Sequence, residues 1–97
     1  MAFQQWADDK DPTADLEYWV DWGPQLAGAT IKADAGNPII EPEAGSGLLV
    51  STFQNLGTRT YARFSGGLEG DWEVKFTLVD SSGQTHVRRV VLTVALT

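Results

Sequence analysis

Two alternating runs on either side of a polar turn, within residues 64–94, leave this chain the least freedom in how it can fold. In FSGGLEGDWEVKFTLVDSSGQTHVRRVVLTV, Trp72, Val74, Phe76 and Leu78 fall on one side, and Asp71, Glu73, Lys75 and Thr77 on the other. Alternation of period two gives a strand one buried and one wet face. The polar cluster Asp80-Ser81-Ser82-Gly83 ends the first run, and Val90, Leu92 and Val94 supply the apolar face of the return. Two such runs joined by a short loop containing glycine predict a β-hairpin. Val87 is out of phase with Val90. That predicts either a bulge near Arg88-Arg89 or an outer apolar stripe of Val87 and Val91.

The rest of the chain reads as further short strands. Residues 16–22 alternate, with Leu16, Tyr18, Val20 and Trp22 directed to a core and Trp19 directed away. Gly23-Pro24 breaks that strand. A weaker strand is expected over residues 29–35, centred on Ile31. Residues 36–47 hold two prolines and three of the glycines, which excludes a central strand and leaves Ile39-Ile40 able to pair only at a sheet edge. In residues 48–53 the pattern permits Leu48 and Val50, or Leu49 and Phe53, to face inward. Residues 59–65 place Thr60, Ala62 and Phe64 inward against Arg59, Tyr61 and Arg63. Six or seven strands at short intervals predict an all-β, Ig-like antiparallel sandwich. Its expected core is Leu16, Tyr18, Val20, Trp22, Ile31, Phe64, Trp72, Val74, Phe76, Leu78, Val90, Leu92 and Val94. Residues 1–15 carry little pattern and are expected as an N-terminal arm to a single domain of residues 16–97. Phe3 and Trp6 would dock that arm.

Composition narrows the function. Thirteen acidic against seven basic residues give a net charge of −6. Nucleic acid and anionic membranes would repel such a chain, so neither is expected as a partner. Cysteine is absent, which removes disulfides and thiolate metal sites. The opening MAFQQWADDK has no basic segment followed by an apolar run, so it is not read as a secretory signal. No stretch approaches the roughly 20 apolar residues of a membrane-spanning helix.

No residue set assembles into catalysis, and no catalytic, cofactor or metal residues are expected. Asp8, Asp9, Asp11 and Asp15 are oxygen-rich, but the loop lacks the glycine spacing of an EF-type site. They read as a solvated acidic segment. His86 has no nucleophile or orienting carboxylate beside it in sequence. Ser65, Ser81 and Ser82 sit in turns, where serine is expected for backbone reasons. The acid pairs Glu69/Asp71 and Glu41/Glu43 flank turns and read as surface groups rather than glycosidase carboxylates. The run Gly66-Gly67-x-x-Gly70 precedes no helix, so it is no phosphate cradle. The remaining candidates are protein contacts: Phe3, Trp6, Trp19 and Tyr61, because aromatic residues are enriched in interface cores, and Val87 and Val91, because an exposed outer stripe of the hairpin would dock a partner.

The segments Lys10-Asp11-Pro12, Asp15-Leu16-Glu17-Tyr18-Trp19-Val20-Asp21-Trp22 and Leu26-Ala27-Gly28-Ala29-Thr30-Ile31 carry a resemblance to a known family. They resemble the opening of small structural proteins of tailed bacteriophages, the fiber-tail adaptors. Those proteins typically show a K-D-P segment, an L-D-Y-x-V-D-W-S strand and a G-D-T-I turn. The close is similar too, through Ser65-Gly66-Gly67, the alternating 72–78 run, Ser82-Gly83-Gln84-Thr85 and residues 88–94. Gly23-Pro24 replaces the usual Ser after Trp22, Ala29 stands where the family tends to have Asp, and residues 33–55 align with nothing in it.

The resemblance implies a non-enzymatic virion protein at the neck or tail, assembled in the host cytoplasm. Its partners would be portal or neck, tail or fiber proteins, contacted by several copies around a symmetric ring. Two other classes fit the same residues: a capsid decoration protein, and a carbohydrate-binding module using Trp19 as its platform.

Overall fold

The computed structural model describes residues 4–96. In chain order the elements are β1 (Gln4–Gln5), β2 (Leu16–Asp21), a single helical turn α1 (Gly23–Leu26), β3 (Ile39–Pro42), β4 (Leu48–Leu56), β5 (Arg59–Gly66), β6 (Gly70–Val79) and β7 (Thr85–Val94). They form an all-β sandwich. One sheet has the order β1-β7-β6-β3, the other β2-β5-β4. Pairing is antiparallel throughout except β1 on β7, which is parallel.

The β6–β7 hairpin forms as the alternation requires. Its ladder is unbroken from Gly70↔Val94 to Val79↔Thr85, so there is no bulge at Arg88-Arg89. Val87 and Val91 lie on the outer face instead. The break in apolar phase has another cause. The inward positions 86 and 88 near the hairpin tip hold His86 and Arg88, and both reach polar partners at that end of the sandwich. His86 Nε2 lies 2.8 Å from Asp80 Oδ2, and Arg88 donates to the Asp21 carbonyl.

The bulge of this fold is in β4, where the register with β5 shifts between Val50 and Thr52. It explains why the pattern of residues 48–53 fits two phases. Leu48 is buried and Val50 packs on the core. The extra residue then flips the phase, so Phe53 packs on the core as well, while Leu49 is 66% exposed.

Three expectations about the core and strands change. Leu16 has the inward register position opposite Phe64 but lies at the end of β2, and is 38% exposed. No strand forms over residues 29–35. That segment makes one isolated bridge, Ile31↔Asp80, and Ile31 is only partly buried against the core. The position beside β6 there is taken by a side chain. Asn37 donates to the Val79 and Lys32 carbonyls at 2.8 and 2.9 Å and accepts from Val79 N–H at 2.9 Å, so it substitutes for a strand's backbone. Trp72 is also only partly buried, because its indole turns to donate to the Leu68 carbonyl at 2.7 Å.

The N-terminal residues add to the core. Trp6 N–H bonds the Val91 carbonyl, Lys10 N–H bonds the Thr93 carbonyl, and Ala95 N–H returns to Lys10. Residues 4–10 therefore run along the outer edge of β7, and Trp6 turns inward between the sheets. The core is completed by Tyr18, Val20, Trp22, Leu26, Leu48, Ala62, Phe64, Val74, Phe76, Leu78, Val90, Leu92 and Val94.

Candidate interaction surfaces

The outer face of β2-β5-β4 carries three rows of cross-strand neighbours: Asp21–Arg59–Leu56, Trp19–Tyr61–Gln54 and Glu17–Arg63–Thr52. Two aromatics therefore occupy the centre, acids lie along β2 and arginines along β5. Trp19 is 45% exposed, and the Arg59 guanidinium carbon stands 4.3 Å from its ring centre. A cation over an indole face is attracted by the ring quadrupole. Arg59 also meets Asp21 at 3.6 Å, and Arg63 meets Asp15 at 3.5 Å. Hydrogen bonds from Gly23 N–H and Thr58 Oγ1 hold the Asp21 carboxyl below its usual range, with a smaller contribution from Arg59. Glu17 faces Arg63 in register, yet Arg63 turns to Asp15. Among the described residues no cation lies within salt-bridge distance of Glu17.

The outer face of the four-stranded sheet carries the second apolar feature. Ile39, Thr77 and Val87 are neighbours in one row across β3, β6 and β7. Ile39 and Val87 are exposed, whereas Val91, beside Gln5 of β1, is half-buried. Between the open edges of β3 and β4 lies a groove of about 560 Å³ floored by Ile40, Val50 and Phe53, with Asn37, Asn55 and Asp34 on its walls.

The structure thus separates the expected contact residues. Trp19 and Tyr61 stand together on one sheet, and Val87 and Val91 lie on the other. Trp6 is not a surface residue at all: it is a core residue, because its indole enters the gap between the sheets. Phe3 lies outside the described residues.

The candidates for chemistry have structural occupations. Asp11 Oδ1 caps Thr13, and Asp15 accepts from Ser51 and Arg63. Glu43 accepts from Glu73 N–H, and Asp71 from Thr93. His86 does have a carboxylate neighbour, Asp80, which the sequence spacing did not suggest. Ser82, however, donates to Asp80 at 2.6 Å and not to the imidazole, so the nucleophile-to-base contact of a triad is missing. The glycines 66, 67 and 70 turn the chain from β5 into β6.

Asp80 is instead the centre of the hairpin turn. Its buried carboxylate accepts from Ser82 N–H and Oγ, from Gln84 N–H and from His86. These bonds, Ser82 Oγ first and His86 next, hold its carboxyl well below the usual carboxylate range. A depressed native value means a contribution that is complete above the unfolded pKa of about 4 and lost as pH falls below it. Denaturant midpoints should therefore decline through the acid range in the wild type. Asp80→Asn should be less stable at neutral pH and show a flatter acid decline. An unchanged acid slope in the variant would contradict this role.

Lys10 was missed as a core residue. Its side chain is buried, with Nζ donating to the Asp11 and Gly66 carbonyls. Burial pushes its ammonium below the usual range, partly offset by Asp11 and Asp15. The contact brings Lys10-Asp11-Pro12 onto Ser65-Gly66-Gly67, two motifs far apart in sequence. A cation pattern that signals a buried lysine is not visible without the fold.

The family described as podophage GP4 fiber-tail adaptor protein gp77 matches residues 10–93. No curated protein matches the chain.

Proposed function

Because the chain belongs to the podophage GP4 fiber-tail adaptor family, we propose that it is a virion structural protein of the neck or tail. In this reading it joins fibers, or adjacent head–tail proteins, through protein–protein contacts and without turnover. The family match over residues 10–93 carries the reading. The surfaces support it: Trp19 and Tyr61 between two arginines have the side-chain types that dominate interface energetics, and the Ile39–Val87 row is exposed on the opposite sheet. A scaffold with two rigid sheet faces can hold two neighbours at a fixed spacing. Several copies around the particle axis, assembled in the host cytoplasm, complete the proposal.

The carbohydrate reading is disfavoured by one observation. Arg59 covers one face of Trp19, which leaves a sugar only the other face to stack on. Capsid decoration is separated from the adaptor role by labelling. Gold-labelled antibody against the chain should mark the tail end of intact particles, and particles made without the chain should lack fibers. Label over the whole head shell would overturn the adaptor reading, as would particles that keep their fibers without the chain. Val87→Glu tests the second surface: fiber content should fall while the melting temperature of the purified variant holds. Normal fiber content with this variant would remove that row from the interface.

A further inference from the structure

The outer face of β2-β5-β4 has a charge arrangement that is complementary to itself. On one side of the Trp19–Tyr61 row stands Asp21–Arg59, and on the other Glu17–Arg63. In both rows the acid is on β2 and the cation on β5. A two-fold axis parallel to the strands, above the face and between β2 and β5, lays β2 of one copy over β5 of the other. The rows keep their order. Glu17 then faces Arg63, Asp21 faces Arg59 and Trp19 faces Tyr61, each contact made twice, as an isologous interface demands. Axes over β5 or over β2 would stack cation on cation or acid on acid. Face-packed sheets stand about 10 Å apart, a distance that Trp, Tyr, Arg and Glu side chains span together. The twist of packed sheets displaces outer rows most, and the matched charges lie within one row of the centre.

From this complementarity we infer that the occupant of this face is a second copy of the same chain, paired about that two-fold axis. The uncompensated Glu17 gains the cation it lacks. Arg63, exposed and held among the described residues by Asp15 alone, can serve both carboxylates. Trp19 and Tyr61 supply the desolvated centre, and the charged rows form its rim. The β3–β4 groove and the Ile39–Val87 row remain accessible for other proteins. This pairing deepens the protein-contact reading of the face and rests on it.

Sedimentation velocity of the purified chain at low salt is the test, since rim charges are screened as salt rises. The wild type should sediment as a dimer. Arg63→Glu puts acid over acid twice in the pair, and Glu17→Arg puts cation over cation twice. Each should raise the dissociation constant by on the order of a hundredfold. An equimolar mixture of the two variants matches acid with cation at both contacts and should restore dimers. That rescue also shows that neither variant merely failed to fold. A monomeric wild type, dimers indifferent to both variants, or monomeric variants that do not recover on mixing would each overturn the pairing. Pairing is read on the purified chain and the adaptor role on particles. A monomeric chain that still carries fibers therefore overturns the pairing alone.

Discussion

Trp6→Ala is expected to lower the unfolding free energy by about 3–5 kcal/mol, the cost of truncating a large buried aromatic. The fall would appear as a lower urea midpoint with an unchanged slope. Trp6 is 8% exposed although it stands in the least patterned part of the chain. Its ring lies 4.8 Å from Tyr18, 5.7 Å from Phe64 and 6.1 Å from Phe76, so it touches both sheets. Its indole N–H donates to the Trp19 carbonyl at 2.9 Å. The short β1 orders around this side chain, since two residues of parallel pairing cannot hold a strand alone. Set against a total of about 5–15 kcal/mol for a domain of this kind, the loss is large. Trp6→Phe should recover most of the packing and leave the Trp19 carbonyl without its donor, at a cost of about 1 kcal/mol. A loss below about 1 kcal/mol for the alanine variant would mean the indole is not a core element in solution. A truncation of residues 1–9 also removes Trp6, so a drop in particle assembly would report folding as well as tethering.

What could be seen in the sequence followed from where alternation meets a one-sided environment. β2, β5 and the β6–β7 hairpin each bury one face, and Val20, Phe64, Phe76 and Leu92 were placed correctly because period two admits no other register. The same rule misled at Leu16, which stands at the first position of β2 and is 38% exposed. It could not resolve residues 48–53, because the extra residue at the β4 bulge changes phase within one strand. The core places of Trp6, expected only as a docking residue of the arm, and of Lys10 and Asn37 have a different origin. Each acts through a long-range contact in a segment without periodicity: an indole between sheets, an ammonium on the Gly66 carbonyl, an amide in place of a strand. The interaction surface was half legible. Alternation put Trp19 and Tyr61 off the core, but their adjacency, and the order of charge around them, needed the β2–β5 register.

Gly66→Ala should destabilise by on the order of 3 kcal/mol, more than the position's exposure suggests. Gly66 has φ of +70°, and a Cβ there would stand 2.8 Å from the Gly47 carbonyl oxygen. A left-handed backbone alone costs a residue with a side chain about 1–2 kcal/mol. The contact with a backbone oxygen adds to that, because no rotamer change can relieve it. Moving Gly66 to make room displaces its own carbonyl, which accepts from the buried Lys10. An ammonium that keeps only the Asp11 carbonyl inside the fold loses part of the bonding that offsets its desolvation. Gly57 is the matched control: its φ is +62°, but nothing lies within 4 Å of an added Cβ. Gly57→Ala should therefore cost about 1 kcal/mol, the backbone share by itself. The difference between the two variants in urea unfolding isolates the steric and Lys10 contributions. Equal losses at both sites would show that the 47–66 approach and the Lys10 link contribute nothing beyond local backbone strain. A double variant with Lys10→Met separates the last two. If displacement of the Gly66 carbonyl acts through the ammonium, the glycine substitution should cost less once the charge is gone.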